Sequence, residues 1–138
     1  MATPLETADL IFARDGVPLR GYGAWPQSAA PLPGLVIIPD VRGLTEHYRD
    51  IARRFAGEGF FAFAVDLYSR EGAPDLPDMA AIFACIQALP DPRVLGDVGA
   101  AVHYLASRPE VRAERIGITG YCLGGQYALM AACSVSRL

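Results

Sequence analysis

Leu35–Ile38 is a short β-branched run that shows no alternation with polar residues, and Phe60–Val65 and Arg115–Thr119 are two further segments predicted to be buried strands. Runs of this kind are typical of strands in a parallel sheet that is covered on both faces. Ahead of them, Asp15-Gly16 is a strong two-residue turn signal between two extended segments, so a hairpin is predicted over residues 9–24. The pattern therefore predicts a hairpin followed by buried parallel strands.

Segments with helical spacing of apolar residues fill the intervals between these strands. Helices are predicted at Thr45–Gly59, Met79–Leu89, Val94–Ser107 and Gln126–Cys133, with Thr45 as a candidate N-cap of the first and the last one buried. A loop rich in Gly and Pro is predicted over residues 66–78. The order hairpin, then β-α-β-α-α-β-α, predicts one domain with a three-layer α/β architecture and a mostly parallel sheet.

Composition narrows the class of protein further. Of the 138 residues, 52% are hydrophobic and 20% are charged, which is enough to build a packed core. The net charge is −3 and the basic residues form no stripe, so nucleic acid is not an expected partner. No apolar run approaches the roughly 18 residues of a membrane span, and the N-terminus lacks the pattern of a signal peptide, so neither is expected.

Cysteine usage bears on the cellular compartment and on metal binding. Cys85, Cys122 and Cys133 are odd in number and none lies in a CxxC motif. This argues against a disulfide framework and against a metal site, and it favours reduced thiols in the cytoplasm. No cofactor and no metal are therefore expected.

The strongest chemical motif is the run from Gly120 through Tyr121, Cys122 and Leu123 to Gly124, between a predicted strand and a predicted helix. This context is that of a nucleophile elbow, in which small neighbours allow a strained turn to present a reactive side chain. Cys122 is the predicted nucleophile, at a helix N-terminus that favours a thiolate. The backbone N–H of Leu123 would face the developing oxyanion. The alternative is that Cys122 is an ordinary small residue between glycines required for packing.

A second segment, Asp40-Val41, follows the first long parallel strand. The loop after that strand supplies the second oxyanion donor in α/β-hydrolases, and here the donor would be the N–H of Val41. Asp40 lies at the C-terminal end of the strand, where ligands bind in open α/β sheets. The alternative for Asp40 is a local cap or salt bridge.

These motifs together resemble the dienelactone hydrolase family, a cysteine-nucleophile branch of the α/β-hydrolases. The matching stretches occur in the family's order and cover nearly the whole chain, at Pro39–Leu44, Arg49–Phe55 with Gly59-Phe60, Val65–Arg70 and Gly120–Gly125. The resemblance implies a three-layer α/β-hydrolase fold.

The resemblance also implies roles for individual residues. Cys122 would attack an ester or lactone carbonyl, and Arg70 would bind a substrate carboxylate through its planar fork. Asp40 stands where the family more often has Glu, which takes the thiol proton, so Asp40 would support Cys122. Arg42 replaces a commonly aromatic or apolar residue, and together with Tyr121 it is assigned to the substrate pocket.

The acid and the histidine of a catalytic triad are missing from the expected place. In α/β-hydrolases both follow the nucleophile, whereas no His, Asp or Glu follows Cys122. His47 and His103 precede it in predicted helices and are expected to be surface or packing residues. Residues 1–138 are therefore expected to be the N-terminal portion of a single α/β-hydrolase domain, with an incomplete fold, an open edge at strand 115–119 and about 100 further residues elsewhere. That half could be a separate chain, or a dimer mate could cover the edge.

Three functions stay open at this point. The leading hypothesis is a carboxylic-ester or lactone hydrolase that uses Cys122 and acts on a small molecule which can carry a carboxylate. The first alternative is an arylesterase or phosphotriesterase with the same site, since one fold supports several chemistries. The second is a catalytically incomplete chain that acts as a binding or interaction module.

Overall fold

A computed structural model of the protein describes residues 3–138 as one sheet flanked by helices. The strands are β1 (Leu5–Arg14), β2 (Val17–Pro26), β3 (Leu32–Ile38), β4 (Phe61–Val65) and β5 (Val111–Gly120). The helices are α1 (Glu46–Gly57), α2 (Met79–Ala88), α3 (Asp91–Ser107) and α4 (Leu123–Ser134). None of these helices is long and apolar enough to cross a bilayer.

The sheet has the strand order β1-β2-β4-β3-β5. β3 pairs in parallel with β4 and β5, while β2 is antiparallel to both of its neighbours, so four of the five strands run in one direction. Asp15 and Gly16 have φ of 51° and 78°, the left-handed pair that a tight hairpin turn between β1 and β2 requires. The predicted hairpin and the mostly parallel sheet are both confirmed.

Helices cover both faces of the sheet, which explains the apolar runs without alternation. Val36 and Ile38 belong to a core with α3 and α4, whereas Leu35 and Ile37 pack with α1 on the opposite face. Successive residues of a strand point to opposite faces, so a strand between two helical layers needs apolar side chains at every position. The three-layer α/β fold predicted from the sequence is confirmed.

Two elements are less buried than the sequence predicted. β5 lies at the edge of the sheet and exposes Glu114, Arg115 and Gly117, so the prediction of a strand buried on both faces is wrong for it. Helix α4 packs one face on the core, but Leu129 on its other face is 69% exposed. The predicted open edge at residues 115–119 is present in the part of the chain that the structure describes.

Element boundaries differ from the prediction mainly at helix starts. α3 begins at Asp91 rather than Val94, because a proline in the first helical turn loses no intrahelical hydrogen bond. Thr45 occupies the N-cap position of α1, but its side chain makes no capping hydrogen bond, so its predicted capping role is wrong. α4 begins at Leu123, three residues before the predicted start, directly after Cys122.

Candidate active site

Cys122 occupies a strained turn between β5 and α4. Its φ of 55° and ψ of −118° lie outside the regions that non-glycine residues usually adopt, a conformation that costs about 1–3 kcal/mol. Its thiol is free and the residue is exposed. Strain of this kind persists only where the surrounding structure enforces it, and in hydrolases it presents the nucleophile above the sheet.

The flanking glycines enforce this turn through close backbone contacts. A Cβ atom on Gly120 would lie 2.0 Å from the carbonyl oxygen of Gly124, and one on Gly124 would lie 2.1 Å from that of Ile38. The N–H of Tyr121 also donates to the carbonyl oxygen of Ile38 at 3.2 Å. The start of α4 is therefore locked against the C-terminal end of β3, and only glycine fits at these two positions.

The two backbone donors predicted to form an oxyanion hole come from the two segments that this contact joins. Leu123 is the first residue of α4, and Val41 lies three residues beyond the end of β3. Within residues 3–138, neither N–H donates to a backbone or side-chain acceptor. Acyl transfer needs unpaired N–H groups of this kind, since they can stabilise charge that develops in the transition state.

Tyr68 braces the loop that contains Val41. Its hydroxyl donates a hydrogen bond of 2.6 Å to the carbonyl oxygen of Val41, and Cys85 Sγ lies 3.4 Å from the same hydroxyl. Burial, followed by the contact with Cys85, raises the pKa of Tyr68 well above its ordinary value. The neutral hydroxyl is therefore kept as a donor, and the carbonyl of Val41 is held in place.

Asp40 is held by two donors from different parts of the chain. Its Oδ1 accepts a hydrogen bond of 2.9 Å from the N–H of Arg42, and its Oδ2 accepts one of 2.9 Å from the hydroxyl of Tyr48. Tyr48 is only 3% exposed, and burial, together with the hydrogen bond to Asp40, raises its pKa to about 12. The carboxylate therefore has a fixed orientation.

Sequence analysis did not single out Tyr48, so its link to Asp40 was missed. Its polar tip was the available signal, because a buried tyrosine hydroxyl usually has a partner. The ring of Tyr121 packs against Tyr48 with centroids 5.6 Å apart, so Tyr121 supports the same corner. The ring of Tyr48 thus packs in the core, and its hydroxyl contacts the candidate site.

Arg70 is engaged by an acidic residue of α3. Its guanidinium makes a two-pronged contact with Asp97, in which Nη2 lies 3.0 Å from Oδ1, and these hydrogen bonds raise the pKa of Arg70. Asp97 also accepts a hydrogen bond of 3.2 Å from Arg14 of β1. Arg42, by contrast, is exposed. The two predicted substrate-binding arginines therefore differ in how far their charge is already compensated.

Both histidines lie on exposed helix positions, as expected. His47 stacks edge-on against Tyr48 with ring centroids 5.0 Å apart, and His103 Nδ1 lies 2.9 Å from the carbonyl oxygen of Gly99. No hydrogen bond joins either residue to Cys122 in the described range. Across residues 3–138, no group of three His, Cys, Asp or Glu side chains is arranged to hold a metal ion.

The chain is similar to known proteins in both sequence and structure. The sequence profile of the dienelactone hydrolase family matches residues 19–138. A protein of Bradyrhizobium sp named "Probable 2-oxo-3-(5-oxofuran-2-ylidene)propanoate lactonase" is 38% identical over 133 residues, which are 96% of this chain and 54% of that protein. The chain spans about half the length of the curated relatives it matches.

Two solved structures agree with the fold over nearly the whole chain. One is the crystal structure of a protein of Klebsiella pneumoniae subsp. pneumoniae that is named "Putative Dienelactone Hydrolase". It has a TM-score of 0.91 and 30% identity, and the match covers 99% of this chain and 57% of that chain. A dienelactone hydrolase-like promiscuous phosphotriesterase from metagenomic libraries has a TM-score of 0.83 and 27% identity, and covers 97% and 56%. The profile match over most of the chain, supported by these likenesses, shows that the chain belongs to the dienelactone hydrolase family.

Proposed function

We propose that this chain contains the nucleophile half of a carboxylic-ester or lactone hydrolase. The observation that carries the proposal is the strained, exposed Cys122 at the start of α4, which is locked against the end of β3. A thiolate that attacks an ester carbonyl needs access to the substrate and donors for the developing oxyanion. The exposure of Cys122 gives the access, and the N–H groups of Val41 and Leu123 are proposed as the donors. The name of the Bradyrhizobium relative, a lactonase, supports the substrate class.

The proposed reaction has two steps. The Cys122 thiolate adds to the ester carbonyl, and the tetrahedral oxyanion accepts hydrogen bonds from Val41 and Leu123. Collapse breaks the C–O bond and leaves a thioester on Cys122, and the departing alkoxide takes up the proton that the thiol gave to Asp40 and leaves as the alcohol. Water then hydrolyses the thioester and regenerates the thiol. The histidine that activates the water, and the acid that orients it, are proposed to lie outside this segment.

Asp40 is proposed as the group that accepts the thiol proton or supports the thiolate. Hydrogen bonds from the hydroxyl of Tyr48 and the N–H of Arg42 fix the orientation of its carboxylate near the end of β3. Aspartate is one methylene shorter than the glutamate more common in the family, and transfer through a water would span the difference. Cys122 would then be activated from the β3 side.

Arg70 is proposed to bind a carboxylate of the substrate. In the absence of substrate its fork is occupied by Asp97, so a substrate carboxylate would have to replace that contact. The free thiols of Cys85, Cys122 and Cys133 fit a reducing compartment, and a cytoplasmic location is proposed on that ground.

Thiol labelling coupled to activity tests the nucleophile. In the full-length protein at limiting iodoacetamide, we expect Cys122 to be alkylated first and esterase activity to fall in proportion. Cys122→Ala should abolish hydrolysis of p-nitrophenyl acetate, while Cys133→Ala, which removes another exposed thiol, serves as the matched control and should keep it. Retained activity in Cys122→Ala, or preferential labelling of Cys85 or Cys133, would refute the proposal.

A phosphotriesterase is the second candidate, and the metagenomic neighbour with that name favours it. The same thiolate and donors could act on a phosphorus centre, because both reactions build negative charge on an oxygen. Comparison of kcat/KM for p-nitrophenyl acetate and for paraoxon separates the two. Loss of both activities in Cys122→Ala with a preference for paraoxon would support this candidate.

A further inference from the structure

A charged cleft of about 480 Å³ lies between the hairpin and the loop that contains the proposed oxyanion donor Val41. Three arginines line it, Arg20 from β2, Arg42 from the oxyanion loop and Arg49 from α1. Asp9 and Asp66 are the acidic residues in its wall. The proposed catalytic roles use neither Arg20 nor Arg49, and Arg42 has so far only a general assignment to the pocket.

The positive charge in this cleft is only partly compensated. Asp66 pairs with Arg20 at 3.3 Å and also accepts the N–H of Tyr68 at 2.9 Å, so its two oxygens are engaged. Arg49 donates to the carbonyl oxygen of Leu44 at 3.3 Å, and Arg42 is exposed. Within residues 3–138 neither of these two arginines has a carboxylate within ion-pair distance.

Arg49 is held in place by a second contact. Its guanidinium carbon lies 5.9 Å from the ring centroid of Tyr22, a distance at which a cation is attracted to the ring face. A pre-positioned arginine loses little side-chain entropy when it binds an anion, and its planar fork matches a carboxylate. Arg42 and Arg49 therefore supply the donors of a site for a carboxylate. The guanidinium of Arg70, by contrast, is already paired with Asp97.

The cleft is connected to the proposed reaction centre by the chain itself. Arg42 directly follows Val41, and Tyr68, which lines the cleft, is the residue that braces the Val41 carbonyl. Cys122 follows β5, whereas the strands that line the cleft are β1 and β2, which are three to four strands away in the order β5-β3-β4-β2-β1. At about 4.8 Å per strand, this wall of the cleft lies on the order of 15 Å from the thiol, so an anion bound there is remote from the scissile bond.

We infer that this cleft binds the terminal carboxylate of an extended ester whose carbonyl reaches Cys122, with Arg42 as the main determinant of that specificity. The inference rests on the proposed ester hydrolase and narrows its substrate class to esters with an anionic group remote from the scissile bond. Short esters whose carboxylate is next to the carbonyl would not reach Arg42.

Half-esters of dicarboxylic acids test the inference in the full-length protein. p-Nitrophenyl half-esters of increasing chain length are compared with p-nitrophenyl esters of the neutral monocarboxylic acids of the same length. We expect the ratio of kcat/KM for half-ester over neutral ester to rise with length. Arg42→Ala should lower that ratio for the long half-esters about tenfold, as expected for loss of a charge-assisted hydrogen bond.

Arg54→Ala is the matched control, since Arg54 is an exposed arginine of α1 that pairs with Asp50 and lies outside the cleft. It should keep the wild-type ratio, and Arg42→Lys should fall between wild type and Arg42→Ala. An unchanged ratio in Arg42→Ala, or an equal loss in Arg54→Ala, would overturn the inference.

Direct binding separates this inference from the proposed function. Suberate, the free dicarboxylate, is titrated by calorimetry into Cys122→Ala protein with and without Arg42→Ala. If no ester is hydrolysed but suberate binding depends on Arg42, the hydrolase proposal fails and the anion site stands. If hydrolysis requires Cys122 while neither the ratio nor suberate binding depends on Arg42, the anion site is refuted.

Discussion

The hydroxyl of Tyr48 donates a 2.9 Å hydrogen bond to Oδ2 of Asp40, and this bond joins the first turn of α1 to the end of β3. The other carboxylate oxygen accepts the N–H of Arg42 at 2.9 Å. A carboxylate held at both oxygens loses its freedom to rotate. Tyr48 is therefore a positioning residue for Asp40, and its effect on the site should be measurable apart from its packing.

Tyr48→Phe should lower kcat by several-fold with little change in KM, because it keeps the buried ring and removes only the bond that orients Asp40. Stability should fall by about 1 kcal/mol, the usual net contribution of one hydrogen bond. The decisive measurement is a double-mutant cycle, in which the kinetic effect of Tyr48→Phe should disappear in an Asp40→Asn background. Equal effects in both backgrounds would mean that Tyr48 acts only through packing.

Tyr104→Phe is the matched control for this variant. The hydroxyl of Tyr104 accepts a hydrogen bond of 3.0 Å from Arg108 Nη1, on α3 and away from Asp40. We expect a similar small loss of stability and no change in kcat. A comparable loss of kcat in Tyr104→Phe would point to a general effect of hydroxyl removal.

The ionisation of Tyr48 should affect the stability of the protein at alkaline pH. Its pKa is raised to about 12, first by burial and then by the hydrogen bond to Asp40, whereas a tyrosine in the unfolded chain ionises near pH 10. A raised pKa in the folded state contributes stability that is complete below about pH 10 and is lost as pH rises toward 12. Tyr48→Phe should therefore lose less stability between about pH 9 and pH 11 than wild type does, measured by urea unfolding.

Ultraviolet difference absorbance gives a second readout. An ionisation step near pH 12 that is present in wild type should be absent from Tyr48→Phe. The same pH dependence of stability in both proteins would contradict this assignment. Tyr104→Phe again provides the comparison, because it removes a tyrosine from another part of the fold.

The elbow and the sheet could be predicted from the sequence because their signals are local. Gly120, Cys122 and Gly124 lie within five residues, and the turn they form depends on small neighbours. The apolar run Leu35–Ile38 indicates helices on both faces without any knowledge of which helices they are. In both cases the physical requirement acts over a few residues.

Contacts between distant residues could not be predicted in the same way. Arg70 was expected to be available to a substrate, and its pairing with Asp97 depends on how α3 packs beside the loop after β4. The link between Tyr48 and Asp40 joins a residue that the pattern assigned to the core and a residue that it assigned to the site. Residue type and spacing do not encode such pairs, because the tertiary fold creates them.

Tyr68→Phe should affect the oxyanion loop without touching Cys122. It removes the 2.6 Å bond to the carbonyl of Val41 and leaves a buried acceptor unsatisfied, which costs about 1–3 kcal/mol. If Val41 donates to the oxyanion, kcat should fall about tenfold while KM changes little, because the lost rigidity matters in the transition state.

Iodoacetamide provides the control for Tyr68→Phe, since alkylation of a thiol forms no oxyanion. The labelling rate of Cys122 should stay within about twofold of wild type. A parallel drop in labelling and in hydrolysis would instead indicate a general distortion of the elbow.

Gly124→Ala should disrupt the elbow. The added Cβ would lie 2.1 Å from the carbonyl oxygen of Ile38 and 2.4 Å from that of Pro39, and both are backbone atoms that cannot move without displacing the end of β3. We expect the free energy of unfolding to fall by about 3 kcal/mol or more, toward the upper end of overpacking costs, and Cys122 to be alkylated more slowly.

Gly57→Ala is the matched control, because a Cβ there meets nothing within 4 Å and the residue ends α1. It should raise stability by about 0.5 kcal/mol and leave labelling unchanged, as alanine in a helix lowers the entropy of the unfolded chain. Calorimetric melting of both variants, with labelling rates in parallel, checks the pair. Wild-type stability and labelling in Gly124→Ala would mean that the contact between α4 and β3 does not hold Cys122 in its strained conformation.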